Sequence, residues 1–423
     1  DDPLQCRYMW VYDVSHGNPG RCCPKSTLSV DAPFSGSTFN EGLGWFCELH
    51  VETQAHSFVY VDISSFMSGI KFSGAAVAST GHVIFAPCQG YTAGVFDPAT
   101  SSFALAVDSV AAASTAGAWL STFNGAASTG GDLVIFAPSR ADGVGRVRMP
   151  SAYFDVSATV NVASKFGGAV TATNGLVVLA PVNANGVGVF NPATGSFSYT
   201  DISATIAHPH KFSRAAAAKE GLVIFAPALS NGIGVFHSAL STFWYLDISS
   251  TMYASDPGTP DTPKFMGAAT GGRGLTIFAP FSATGVGVFD PASNNFWLIN
   301  ISGTVSTTAR FCGATALSNG LVIFAPYNAD GVGVFDPSTD SFSYVDISAT
   351  MHADAKFVDA TTASNGLVVF APLGDAVGVY DPVFSTMWTA AISNRQNQVH
   401  QPTRTAPTRS YCTRAYFFQL SPF

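Results

Sequence analysis

Charge is scarce in this sequence. Asp, Glu, Lys and Arg together make up 11% of 423 residues, and only seven residues are lysine. A net charge of −8 and a pI near 5.5 argue against nucleic acid as a partner, because little is present to neutralise a phosphate backbone. Long apolar runs are missing too, so no segment is expected to span a bilayer. No Gly-rich phosphate loop precedes a helix, and no Gly-x-Ser-x-Gly elbow appears. The acidic residues mostly fall at repeated turn positions, among them Asp97, Asp290, Asp336 and Asp381. A catalytic acid is needed once, so repetition points to turn chemistry, and no cofactor is implied.

Cysteine is nearly absent from the middle of the chain. Cys6, Cys22, Cys23 and Cys47 lie near the start and Cys412 near the end, leaving only Cys88 and Cys312 between. Their spacing fits no common zinc pattern, and terminal clustering is the pattern of disulfides in an oxidising compartment. Cys88 is a further pairing candidate for a terminal cysteine, whereas Cys312 reads as a small buried filler. The chain opens at Asp1-Asp2-Pro3 without Met, as a secreted protein does after signal removal. Asn300-Ile301-Ser302 is an acceptor sequence for N-glycosylation.

What the sequence does have is repetition. Residues 319–348 read NGLVIFAPYNADGVGVFDPSTDSFSYVDIS, and close relatives of this phrase return along the chain. Its Ala-Pro gives prolines at Pro87, Pro138, Pro181, Pro227, Pro280, Pro326 and Pro372, at intervals of 51, 43, 46, 53, 46 and 46 residues. Each unit holds four strand-like pieces: a small-residue stretch, a continuous apolar run, an alternation of glycine with large residues, and a half-polar outer piece. Pro326 has no N–H for a sheet ladder, Asp336-Pro337 opens a turn, and Asn319-Gly320 suits a hairpin. Seven such units predict an all-β, seven-bladed propeller of four-stranded antiparallel blades over residues 58–393. A cysteine-containing extension of residues 1–57 precedes it, and a strap or arm of residues 394–423 follows, rich in Arg, Thr and Pro.

Fourth-strand-like segments number eight for seven places. One, Phe58-Val59-Tyr60-Val61-Asp62-Ile63, precedes the first unit, and another, residues 387–392, ends the last. The short local connection favours the C-terminal copy as the closing strand, with the N-terminal copy added outside or in support.

The small-residue first strand, the NGLVIFAP second strand and the GVGVFDPSTDSF hairpin resemble kelch-type propeller units over about residues 58–392. Ala-Pro stands where kelch units carry two glycines, and Phe342 where they carry tryptophan. The wording is also similar to Lys-Phe, GVGVFDP, DIS repeats in uncharacterised proteins of unicellular algae and other protists. The resemblance implies that the first strand is innermost, and that the loops entering it share one face with those leaving the second strand.

One repeat position holds Lys71, Lys165, Lys211, Lys264, Arg310 and Lys356, with Thr122 in the remaining unit. A ring of cations at the channel mouth would suit a sulfated or carboxylated glycan or an acidic peptide. The competing expectation is structural: aspartates such as Asp155, Asp201 and Asp346 stand ten residues before a lysine and would pair with it. His208 and His210 are the candidates for a metal. The expectation drawn from these readings is a secreted, non-enzymatic structural, adhesive or self-assembling module at the cell surface. A lectin-like binder and a metal-dependent oxidase or lyase are the alternatives.

Overall fold

The computed structural model describes residues 10–13, 18–22, 36–40, 45–49, 57–67, 69–89, 92–106, 122–147, 152–255 and 262–382. The chain divides into two compact units, one covering Phe58–Pro382 and the other comprising Asp1–Ser57 with Val383–Phe423. In the second unit, the described residues form a four-stranded antiparallel sheet in the order Asn18–Cys22, Trp10–Asp13, Trp45–Leu49, Gly36–Asn40. Sequence reading assigned no sheet there.

The larger unit is a seven-bladed β-propeller. Blades 1 to 6 start with the first strands Phe72–Val77, Phe123–Ser128, Phe166–Thr171, Phe212–Ala217, Phe265–Thr270 and Phe311–Ala316. Blade 7 starts with Phe357–Thr362. First strands of neighbouring blades pack on one another around the ring, so they line a common axis. Second strands such as Val177–Pro181 and Val322–Pro326 are buried throughout, as their unbroken apolar runs require.

Each blade is wedged by phenylalanine. In blade 6 the rings of Phe311, Phe324 and Phe342 come from the first, second and fourth strands, with Phe311 and Phe324 centroids 5.6 Å apart. Blades 1, 4, 5 and 7 repeat the trio. The Gly-x-Gly of the third strand makes room for it. A Cβ at Gly188 would meet Phe166 Cζ at 2.9 Å, and one at Gly186 would meet Tyr199 Cζ at 2.6 Å. Blade 7 carries Ala376 in place of the first of these glycines, and Tyr60, the counterpart of Tyr199, stands 47% exposed.

Turn chemistry follows the repeat. Asp336 Oδ1 accepts the Ser338 N–H at 2.8 Å, Asn319 Oδ1 accepts the Leu321 N–H at 3.1 Å, and Gly320 takes φ 89°. Aspartates at the end of the fourth strand act alike, with Asp201 and Asp346 accepting the N–H of Ser203 and Ser348 at 2.8 Å. Asn300 fills this place in blade 5, accepting the Ser302 N–H at 2.9 Å.

Closure differs from the sequence expectation. The fourth strand of blade 7 is the N-terminal copy, Ser57–Asp62, which follows Ala376–Asp381 in the sheet order. Residues 387–392 lie outside the described residues. The physical reason is side-chain fit. Phe58 completes the aromatic trio, 6.2 Å from Phe357 and 6.4 Å from Phe370, and Asp62 accepts the Ser64 N–H at 2.8 Å. Aligned on their final Ile-Ser, the C-terminal copy offers Met387 and Ala391 at these two positions. A shorter connection does not offset the loss of the ring and of the turn acceptor.

Phe58→Ala is expected to lower unfolding free energy by about 3–5 kcal/mol, measured by denaturant titration, whereas the exposed Val59→Ser should change it by less than about 0.5 kcal/mol. Hydrogen bonds, first from the backbone N–H of Ser203 and Ser348, hold Asp201 and Asp346 below the ordinary value of 3.8. Their stabilisation is therefore complete above 3.8 and is lost as pH falls through the lowered folded values. Asp201→Asn with Asp346→Asn keeps the acceptors without titrating, so the acid limb of a stability–pH curve should become shallower.

Candidate functional site

The residue preceding each first-strand phenylalanine joins two blades through its backbone. Lys211 N–H donates to Val182 O of blade 3 at 3.1 Å, and Lys211 O accepts from Ala228 N–H of its own blade at 3.0 Å. Lys356 repeats the pattern with Tyr327 O at 3.0 Å and Leu373 N–H at 3.1 Å. Thr122 does the same with Cys88 O and Ser139 N–H, so this backbone junction does not depend on the side chain.

The side chains at this position are buried: Lys71, Lys165, Lys211, Lys264, Arg310 and Lys356 are all 5% exposed or less. Their heads turn into the loop that follows the second strand of the preceding blade. Lys211 Nζ donates to Ala184 O at 3.1 Å and Val182 O at 3.4 Å, and Lys264 Nζ to Leu229 O at 3.3 Å. Lys356 Nζ donates to Ala329 O at 3.1 Å, with Asp330 Oδ1 at 3.6 Å. Arg310 donates from Nε to Val305 O and from Nη1 to Ala283 O, both at 3.0 Å. Lys71 pairs with Asp375. Burial pushes the Lys165, Lys211 and Lys356 ammonium groups below the ordinary lysine value; Asp142 opposes this at Lys165 and Asp330 at Lys356. The cations thus bridge blades, but their carboxylate neighbours are loop residues rather than the fourth-strand aspartates the ten-residue spacing suggested. Those aspartates are occupied by turn N–H groups.

At the third position of the first strand the ring narrows. Five blades carry glycine there: Gly74, Gly125, Gly168, Gly267 and Gly313. A Cβ at Gly125 would stand 2.7 Å from Gly168 Cα, and one at Gly267 2.8 Å from the Gly313 carbonyl carbon. The two exceptions are Arg214 in blade 4 and Asp359 in blade 7. Arg214 crosses the axis, placing Nη1 3.3 Å from Asp359 Oδ2. Its Nη2 donates to Val358 O at 2.7 Å and Ser73 O at 3.0 Å. Asp359 Oδ2 also accepts the Ala75 N–H at 3.2 Å. Burial raises the Asp359 carboxyl, opposed by Arg214 and by the Ala360 and Ala75 N–H groups. The buried Cys312 thiol nearby is pushed up to about 11, chiefly by desolvation.

Beside this pair lies a cavity of about 220 Å³, walled largely by alanine methyls, including Ala75, Ala126 and Ala268. A further space of about 280 Å³ shares part of this wall and reaches Thr171 and Thr362. The threonines bond between blades, with Thr171 Oγ1 donating to Ser128 O at 2.5 Å and Thr362 Oγ1 to Ala316 O at 3.0 Å. Sequence reading passed over Arg214 and Asp359. The signal was present in FSRAAA and FVDATT, the two first strands that carry a charge at this place.

The remaining candidates are scattered. His208 and His210 are exposed; His208 Nδ1 lies against the Pro209 carbonyl oxygen, and His210 N–H donates to Asn183 Oδ1 at 3.0 Å. Among the described residues no group of three His, Cys, Asp or Glu side chains converges on a metal position. Cys88 is buried. Backbone pairing places Cys22 opposite Trp10 and Cys47 opposite Val11, while Cys6, Cys23 and Cys412 lie outside the described residues. Asn300 is exposed at the end of its strand.

No protein-family model matches this chain, and no curated protein matches it. Solved structures do. A virginiamycin B lyase from Staphylococcus aureus aligns with TM-score 0.59 and 13% identity, covering 77% of this chain and 99% of the lyase chain. The extracellular domain of a one-component system from B. thetaiotaomicron aligns with TM-score 0.56 and 12% identity, over 92% of this chain and 51% of its own. The WD40 repeats of RRP9 align with TM-score 0.56 and 10% identity, over 78% of this chain and 99% of their own. At such identities the likeness establishes the propeller fold.

Lys211→Met keeps the stem and removes the donor to Ala184 O; it should cost about 1–3 kcal/mol near neutral pH by denaturant unfolding. Because the folded lysine pKa lies below the unfolded value of 10.5, wild-type stability rises relative to Lys211→Met as pH climbs through that window. Plotting the difference between the two proteins isolates the contribution of Lys211.

Proposed function

We propose that this chain is a secreted, non-enzymatic, kelch-like propeller that works as a structural, adhesive or assembly module outside the cell. The observation that carries this reading is the fate of the recurring polar groups. Buried lysines bond to loop carbonyls of the preceding blade, and repeated aspartates bond to turn N–H groups. The repeat thereby uses its polar chemistry on its own framework. The outer strands vary between blades. One outer-strand position, opposite the second valine of the third strand, holds Ser198, Trp244, Trp297 and Ser343 in blades 3 to 6. Trp244 is 37% exposed, and on the blade 7 rim Val59 is 52% exposed. Partners meet this rim, protein or a further copy of the chain, with glycan as the lesser alternative.

An extracellular setting agrees with the extracellular domains among the structural neighbours, and no helix among the described residues is long and apolar enough to cross a membrane. In the same reading Cys6, Cys22, Cys23, Cys47 and Cys412 form terminal disulfides and exposed Asn300 accepts a glycan. An anionic ligand at the channel mouth would have to draw the buried cations away from their carbonyls. A lyase reading would rest on shared fold alone.

Electron microscopy of the purified full chain without crosslinker tests the assignment. Ordered filaments, sheets or discrete oligomers are expected, dispersed by Val59→Ser with Trp244→Ser. Uniform monomers at every concentration overturn self-assembly as the function.

A further inference from the structure

One blade boundary, the seam of the ring, differs from the other six in its chain connection. Strands one to three of blade 7 reach blade 1 covalently only by the long way round, because the strand that connects to blade 1 is the N-terminal Ser57–Asp62. The junction cation there, Lys71, is itself buried, but its partner Asp375 has a side chain 69% exposed, whereas Lys211 and Lys356 donate to buried carbonyls.

We infer that Arg214 and Asp359 form a clasp that holds this seam shut from the opposite side of the ring. In a seven-membered ring blade 4 faces the junction between blades 7 and 1, and the Arg214 guanidinium reaches both sides of it. Nη2 donates to Val358 O of blade 7 at 2.7 Å and to Ser73 O of blade 1 at 3.0 Å. The carboxylate also touches both sides, belonging to blade 7 and accepting the Ala75 N–H of blade 1 at 3.2 Å. The side chains are 13% and 11% exposed, so solvent screens the pair weakly. The planar guanidinium provides the fork that serves two carbonyls and a carboxylate together, which a lysine ammonium does not. The other five blades show that glycine suits this position sterically, so neither charge is needed to fill space.

Hydrogen exchange followed by mass spectrometry on the full chain tests the clasp. Arg214→Gly should accelerate exchange by about tenfold or more in Ser57–Asp62, Phe72–Val77 and Phe357–Thr362. Phe166–Thr171 and Phe265–Thr270 should keep their protection. Methylguanidinium, which refills the vacated space beside Asp359, should restore slow exchange at the seam where sodium chloride of equal ionic strength does not. Arg214→Gly with Asp359→Gly gives all seven blades glycine and leaves no unpaired charge at the axis, yet the clasp predicts the same local acceleration. Asp359→Asn should show a weaker form of it and stands in if Arg214→Gly does not fold. Unchanged seam exchange in the double variant, or acceleration spread evenly over all seven blades, overturns the proposal.

Discussion

Everything in this propeller depends on one backbone exchange made at each blade boundary. The residue entering a first strand donates its N–H to the preceding blade and accepts, through its carbonyl, from the residue just past its own second strand. That arrangement fixes the spacing of neighbours before any side chain acts. The lysines then add a second tie through the loop carbonyls, and Thr122 shows that the first tie is sufficient where the second is missing. Because the ammonium groups are taken out of water, they require those carbonyls, which explains why a chain so poor in lysine places five of its seven at one structural position.

Glycine plays two separate parts in the same framework. On third strands it admits aromatic rings, so the blade can be wedged by phenylalanine from three directions. On first strands it lets backbones approach at the axis. Blade 7 tests the first role naturally, since Ala376 occupies the place of a glycine and Tyr60 is displaced into solvent. Blades 4 and 7 break the second role, and the exceptions bond to each other across the channel.

The architecture was legible in the sequence because each signal recurs: the apolar second strand, the Asp-Pro turns, the Asn-Gly hairpins. Blade count and strand order follow from recurrence alone. The closing strand was legible only as a choice between Phe58 and Met387, which aromatic packing decided. The direction of the lysine heads was not legible, because spacing along the chain favoured fourth-strand aspartates while the ring brought loop carbonyls nearer. Arg214 and Asp359 were hidden for a related reason. Each occurs once, and only a closed circle makes them neighbours.

Blade 7 is built from both ends of the propeller, and this has a consequence for synthesis. Ser57–Asp62 leaves the ribosome roughly 300 residues before Ala376–Asp381, the partner it must pair with. At about 5–20 residues per second, that hydrophobic strand waits on the order of 15–60 s with its edge unmatched. Throughout that interval Phe58, Val59 and Tyr60 are open to chaperones or to premature pairing with a sister polypeptide on the same messenger, so fidelity of the circle is decided by timing as much as by fit.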